Sequence, residues 1–83
     1  MKLTVRYFAS LREALGPTEA VELAAPATVG ALRDALIARG GRHAEVLART
    51  RAVRCALNHA MVDEAAALDD GAEVAFFPPV TGG

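Results

Sequence analysis

The sequence lacks the paired cysteines that could reinforce a small domain, and it has no large excess of positive or negative charge. Its 83 residues include one cysteine, Cys55, so no disulfide can form within the chain. Acidic and basic residues nearly balance, at 10 and 9, and the arginines are scattered without a run. We therefore expect no cationic stripe for nucleic acid and interpret the arginines as part of a solvated surface.

Long apolar segments are also missing. The start, "MKLTVRYFAS", has one lysine and then alternates, unlike the continuous apolar region of a signal peptide. No stretch approaches the length of a membrane span. Together with the single cysteine, these features predict a soluble, cytoplasmic protein with no membrane or nucleic-acid partner.

Few side chains could form a catalytic or metal site. Cys55 lies between inward Val53 and Leu57 in an alternating segment, which favours a small core residue over a sulfur donor. His43 and His59 lack ligands at metal spacing and are interpreted as a surface helix residue and a turn residue, so we expect no metal site. Acids near the second predicted hairpin are interpreted as a solvated loop: Asp63, Glu64, Asp69 and Asp70.

Alternating apolar residues predict five strands. In the first strand Tyr7 faces inward and Phe8 outward. In the last, Phe76 faces inward and Phe77 outward, if the first and last strands are central neighbours. The predicted strands span 2–9, 18–24, two segments of 52–62 that turn at Asn58 and His59, and 73–77, which follows a turn at Asp70 and Gly71.

Helical spacing accounts for the segments between these strands. The main helix is predicted over 28–39 with Thr28 as its N-cap, and a short helix begins where Ser10 and Glu13 have capping-box spacing. A weaker helical turn is predicted over 43–49. This order predicts an α+β fold, a β-grasp (ubiquitin-like) mixed sheet with one main helix and short helical turns.

The domain is expected to span 1–77, and residues 78–83, "PPVTGG", to form an extended C-terminal tail. Pro78 and Pro79 hold the backbone extended at little entropic cost. Gly82 and Gly83 have no Cβ, so the terminal carboxylate could pass through a narrow cleft and meet a nucleophile. A carboxylate first needs conversion to an acyl phosphate or adenylate, and this chain has no Walker loop, so we expect activation by a partner.

The ending "DDGAEVAFFPPVTGG" and the start "RYFASLREALG" resemble the MoaD family, the sulfur-carrying small subunits of molybdopterin synthase. The resemblance implies that an E1-like, MoeB-type enzyme adenylates Gly83 with ATP and magnesium, and that a sulfur donor protein then allows a thiocarboxylate to form. A large, MoaE-type subunit would receive the tail, where the sulfur converts a cyclic pterin precursor into molybdopterin. The chain itself would bind no cofactor and would not be an enzyme on its own.

The same resemblance implies a hydrophobic patch and a polar contact that both protein partners recognise. The implied contact residues are Phe8, Arg12, Met61, Phe77, Pro78, Pro79, Val80, Thr81 and Gly82. Strand alternation independently turns Phe8 and Phe77 outward, whereas it does not settle the orientation of Met61. Three alternatives remain open: a sulfur carrier of another, thiamin-type pathway, a ubiquitin-like modifier joined to lysine, and an unreactive binding module.

Overall fold

The computed structural model describes residues 1–79, which form a five-stranded mixed sheet and three helices. The elements in chain order are β1 (Lys2–Tyr7), α1 (Ala9–Leu15), β2 (Thr18–Glu22), α2 (Val29–Ile37), α3 (Gly41–Val46), β3 (Arg54–Leu57), β4 (Ala60–Val62) and β5 (Glu73–Phe77). The strand order is β2-β1-β5-β3-β4, with β1 and β5 parallel and the other neighbours antiparallel. The predicted β-grasp fold is confirmed, and the first and last strands are central neighbours.

The core lies on one face of this sheet, because the apolar residues of β1 and β5 that point to that face are paired with each other. Val5 pairs with Val74 and Tyr7 pairs with Phe76, and all four side chains are at most 1% exposed. Helix α2 covers them with side chains that are fully buried: Val29, Leu32 and Leu36. Each large apolar side chain buried in this way contributes about 1.5–3 kcal/mol relative to an exposed one.

Helix α2 begins where the sequence predicts. The Thr28 side chain accepts a 3.1 Å hydrogen bond from the Ala31 N–H, which satisfies one of the first amides of the helix. The helix ends at Ile37, two residues earlier than expected, and Gly40 then takes a φ of 74°. Helix α3 starts at once, also earlier than the predicted helical turn, and is followed by fully buried Leu47.

Helix α1 begins differently from the prediction. Phe8 occupies the N-cap position, so the predicted capping box of Ser10 and Glu13 is wrong. The chain turns sharply at Ala9, whose φ of 53° lies in the left-handed region. This turn places Ser10 already inside the helix, where its side chain cannot act as the N-cap.

One arginine is buried, which contradicts the interpretation of all arginines as surface. Arg33 on α2 is 4% exposed, and its guanidinium donates to the carbonyl oxygens of Leu47, Ala48 and Arg51 and to the Glu64 carboxylate, at 2.8–3.1 Å. The Arg33 side chain thus supplies donors to three carbonyl groups of the segment after α3, of which the one at fully buried Leu47 is the least accessible to water. Glu64 is therefore a structural ion-pair partner and not a solvated loop acid.

The turns between the later strands agree with the prediction. Asn58 and His59 join β3 to β4 with φ of 48° and 72°. The Asn58 side chain also accepts the Glu73 N–H at 2.9 Å, which fixes this turn against β5. Gly71, with a φ of 83°, forms the predicted turn before β5.

Candidate partner-binding face

The outward face of the sheet carries the aromatic pair predicted for partner binding. Phe8 directly follows β1 and is 40% exposed, while its N–H donates to the Phe76 carbonyl at 3.2 Å. Phe77 ends β5 and is half-buried. Tyr7 and Phe76 are buried on the opposite face, so each adjacent pair sends one ring in and one ring out, as predicted.

Phe77 is less exposed than the sequence predicts. It lies on β5, the middle strand, and is paired with Arg54 of β3 on one side. A side chain on a central strand is covered by neighbours on both sides, whereas Phe8 lies past the end of β1. Phe8 therefore presents more of its ring than Phe77 does.

Met61 completes an apolar surface that we call the outer patch, defined by Phe8, Met61 and Phe77. Met61 is 57% exposed on the edge strand β4, and it pairs with Ala56 of β3. Ala56 in turn pairs with Ala75 of β5, two residues before Phe77. Paired residues of neighbouring strands lie on the same side of a sheet, so Met61 points outward, as Phe77 does. The two small alanines leave a shallow surface between Met61 and β1.

Arg12 lies close to the outer patch along the chain. It is exposed on α1, and its N–H donates to the Phe8 carbonyl at 3.4 Å. Because α1 begins directly after Phe8, the Arg12 backbone lies one helical turn from the Phe8 backbone. The role of Arg12 as the polar contact beside the patch stays a prediction.

A second polar group beside the patch was missed by the sequence analysis. The Arg6 guanidinium carbon lies 5.5 Å from the centroid of the Phe8 ring, and its Nη1 lies 3.9 Å from Glu73 Oε2. His59 Nε2 is 3.3 Å from the same carboxylate oxygen. Alternation could have indicated part of this arrangement, because Arg6 and Phe8 have the same parity along one strand.

The tail begins directly at the outer patch. Pro78 and Pro79 follow Phe77 without regular secondary structure, and both are half-buried. The other predicted tail positions, Val80, Thr81, Gly82 and Gly83, lie outside the described residues.

Cys55 is a core residue, as predicted. It is 4% exposed, and its Sγ donates to the Val62 carbonyl at 3.3 Å. Burial, assisted by the nearby Glu64 and Asp63 charges, raises the pKa of the thiol. A thiol in this state is a weak nucleophile because the reactive form is the thiolate.

The two histidines have different surroundings. His59 is a turn residue, as predicted, but His43 is half-buried on α3 with its Nε2 2.8 Å from Glu19 Oε2. The interpretation of His43 as a simple surface residue was wrong, because α3 packs its ring beside β2. Within residues 1–79, no group of three or more His, Cys, Asp and Glu side chains is placed to hold a metal ion. In the same range no helix has the length and apolar character needed to cross a bilayer.

Comparison with known proteins identifies the family. The ThiS family profile matches residues 5–83. The molybdopterin synthase sulfur carrier subunit of Escherichia coli (strain K12) is 45% identical over 82 residues, which cover 98% of this chain and 99% of that protein.

Solved structures show the same fold. Small archaeal modifier protein 1 of Haloferax volcanii superposes with a TM-score of 0.77 at 28% identity, covering 95% of this chain and 98% of that one. A chain from the complex of subunits 1 and 2 of molybdopterin-converting factor from Helicobacter pylori 26695 gives a TM-score of 0.71 at 26% identity, with full coverage of both chains. These matches confirm the predicted resemblance: the chain belongs to the ThiS family, together with the molybdopterin synthase sulfur carrier subunits that it resembles.

Proposed function

We propose that this protein is the sulfur-carrier subunit of a molybdopterin synthase and that it carries sulfur as a thiocarboxylate on Gly83. The observation that carries the proposal is the 45% identity, over nearly the full length of both chains, to a protein of that name. The sequence ends in Gly-Gly after a strand and two prolines, which suits an end that must enter another protein's active site.

The chemistry explains why a carboxy terminus can carry sulfur. An activating enzyme would transfer AMP from ATP to the Gly83 carboxylate, with release of pyrophosphate, and sulfur delivered at the oxidation level of sulfide would then displace AMP. The resulting thiocarboxylate is ionised at neutral pH, and its sulfur is a softer nucleophile than a carboxylate oxygen. After the sulfur has bonded to a pterin carbon, water would cleave the acyl–sulfur bond and restore the carboxylate.

The structure of the domain is consistent with a carrier whose reactive group lies at its end. Cys55, the one cysteine, is buried and its thiol pKa is raised, so it is poorly suited to hold transferable sulfur. Phe8 and Met61 are large apolar side chains left exposed on the sheet face that also carries Phe77, the residue before the tail. An exposed apolar surface on a small domain usually marks an interface.

Two protein partners are proposed to use this surface in turn. One is an E1-like, MoeB-type enzyme that uses ATP and magnesium, supplied with sulfur by a donor protein. The other is a large, MoaE-type subunit that receives the tail through Pro78, Pro79, Val80, Thr81 and Gly82. The Helicobacter pylori relative, which is described in complex with a second subunit, supports a large-subunit partner.

Reconstitution tests this proposal. The purified chain, after treatment with an E1-like enzyme, ATP, magnesium and a sulfur source, is mixed with the large subunit and the cyclic pterin precursor. We expect molybdopterin only when the chain has first been converted to its thiocarboxylate. Failure of the thiocarboxylated chain to yield molybdopterin, with a known sulfur carrier active in the same assay, would assign it to another sulfur pathway.

A modifier function is the second candidate, favoured by the similarity to small archaeal modifier protein 1. In that case the activated Gly83 would be attacked by a lysine amine, and an isopeptide bond would form. Expression of a tagged chain in its own cells would then give a ladder of higher-mass conjugates that disappears when Gly83 is deleted. A carrier gives the free chain and its thiocarboxylate instead.

A further inference from the structure

Arginines border the outer patch on both sides of the central strand. Arg6 of β1 pairs with Ala75 of β5, and Arg54 of β3 pairs with Phe77. Both arginines lie on the outward side of the sheet, as Ala75 and Phe77 do, and both are exposed. Since neighbouring strands lie about 4.8 Å apart, the two arginines flank β5 from opposite sides.

Arg6 is held in a defined position at this border. Its guanidinium lies over the Phe8 ring at 5.5 Å, a distance at which a cation and an aromatic face attract each other. Glu73 lies 3.9 Å from the same guanidinium on the side away from the tail. Arg6 thus presents its charge next to the most exposed ring of the patch.

Two acids of this face, Glu73 and Asp63, lie near the arginines that border the outer patch. The Glu73 carboxylate is shared between Arg6 and His59, at 3.9 and 3.3 Å. Asp63, which follows β4, accepts the Ala65 N–H at 2.8 Å. With Arg12, three exposed arginines border the outer patch against these two acids, so the border carries a net positive charge although the whole chain has a formal charge of −1.

We infer that the partner surface seated on the outer patch has an apolar centre flanked by carboxylates, one facing Arg6 and one facing Arg54. This inference rests on the proposed function, so the occupant is the large synthase subunit. Arg12, exposed one helical turn after Phe8, would meet a third acidic group of the same surface. The charges would accelerate association and fix the orientation, while the apolar contact would slow dissociation.

Association kinetics measured at increasing salt test the inference. Arg54→Glu and Arg6→Glu each place a negative charge where we infer an opposing carboxylate. We expect each to slow association with the large subunit about tenfold at low ionic strength, with most of the difference lost at high salt. Arg54→Lys keeps the charge and should associate at nearly the wild-type rate.

The matched control is Arg42→Glu, which makes the same change of net charge on exposed α3, in the helical layer and away from the outer patch. Its association rate should stay within about twofold of the wild type. Equal slowing by Arg42→Glu, or faster association of Arg54→Glu, would overturn the inference. Unfolding curves of all variants check that the fold is intact.

The same experiment separates this inference from the proposed function. If the wild type binds and Phe77→Ala weakens binding, but the Arg6 and Arg54 variants associate normally, the acidic border is wrong and the carrier function stands. If the wild type does not bind the large subunit at all, both are overturned.

Discussion

The Tyr7 hydroxyl donates a 2.8 Å hydrogen bond to Glu19 Oε2, which joins a fully buried ring on β1 to a half-buried carboxylate on β2. Glu19 also pairs with Arg39, after α2, and with His43 of α3. A single carboxylate on an edge strand thus connects the sheet to both helical segments. Glu19 pairs with Val5 in the sheet register, so it takes an inward position at which a charge needs such partners.

Removal of the Tyr7 hydroxyl should destabilise the fold without changing the packed ring. We expect Tyr7→Phe to lower the free energy of unfolding by about 1–2 kcal/mol, because the hydroxyl donates to a charged acceptor. Urea denaturation measures the loss. In a Glu19→Gln background the same substitution should cost less, and an equal cost in both backgrounds would show that the bond is not responsible.

Stability should fall on acidification because of Glu19 and Glu64. Burial alone would raise the pKa of each carboxyl group, but hydrogen bonds outweigh burial and hold both pKa values below the ordinary 4.5; the bonding partners are His43, Tyr7 and Arg39 for Glu19, and Arg49 and Arg33 for Glu64. The unfolded chain therefore binds these protons more tightly than the folded chain does. The stabilisation is present above the ordinary pKa and is lost as the pH falls through the lower folded values.

Unfolding measured at a series of pH values checks this sign. The free energy of unfolding should decrease progressively below about pH 5, and the slope should become shallower in Glu19→Gln. A domain that becomes more stable between neutral and mildly acidic pH, or a slope unchanged by Glu19→Gln, contradicts the assignment.

Substitution of Arg33 should destabilise the fold strongly, because this charged side chain is buried and hydrogen-bonded. Arg33→Leu leaves the carbonyl groups of the loop after α3 without donors, and we expect a loss of about 2–4 kcal/mol. Arg33→Lys keeps the charge but lacks the several guanidinium donors in one plane. It should therefore retain less than half of the unfolding free energy that is lost in Arg33→Leu. Arg42→Lys on α3 is the exposed control and should stay within about 0.5 kcal/mol of the wild type in urea denaturation.

Phe77→Ala should affect binding more than folding. An aromatic ring lost from the centre of an interface costs about 1–4 kcal/mol of binding free energy, whereas the half-buried ring should contribute about 1 kcal/mol to stability. Titration calorimetry with the large subunit measures the first value and urea denaturation the second. Leu23→Ala, a half-buried apolar position beyond the end of β2, is the control that should leave affinity unchanged. Unchanged affinity of Phe77→Ala would place the interface elsewhere.

The strands and the outward rings could be predicted because they follow from local alternation. Phe8 and Phe77 face outward for the same reason that Tyr7 and Phe76 face the core, and β5 was predicted with its observed bounds, Glu73–Phe77. The degree of exposure could not be predicted in this way. Phe77 is half-buried because of its strand neighbours, which depend on a strand order that alternation does not contain.

Contacts between polar side chains distant in sequence could not be predicted from the sequence either. Arg33 reaches Glu64 across 31 positions, and Tyr7 reaches Glu19 across 12. Composition suggests that Arg33 and Glu19 are solvated, but their inward positions on α2 and β2 bring them against these partners. The wrong capping box at Ser10 has a different cause, since the left-handed turn at Ala9 moves the helix start by two residues.

The central claim is that Gly83 is the sulfur-bearing residue, and deletion of Gly83 tests it. Deletion would withdraw the terminal carboxylate by about 3.3 Å, one extended residue, and a displacement of only about 1 Å can cost about a hundredfold in a positioned reaction. Gly82→Val keeps the length but adds a branched side chain next to the reacting group, so it should fail through steric conflict.

The decisive measurement is intact and fragment mass spectrometry after incubation with the activating enzyme, ATP, magnesium and a sulfur donor. The wild type should exchange one terminal oxygen for sulfur, with the mass change on Gly83, and the shortened chain should show none while it keeps its fold and its binding through the outer patch. Full-rate sulfur incorporation by the shortened chain, or sulfur located on Cys55, would contradict the account.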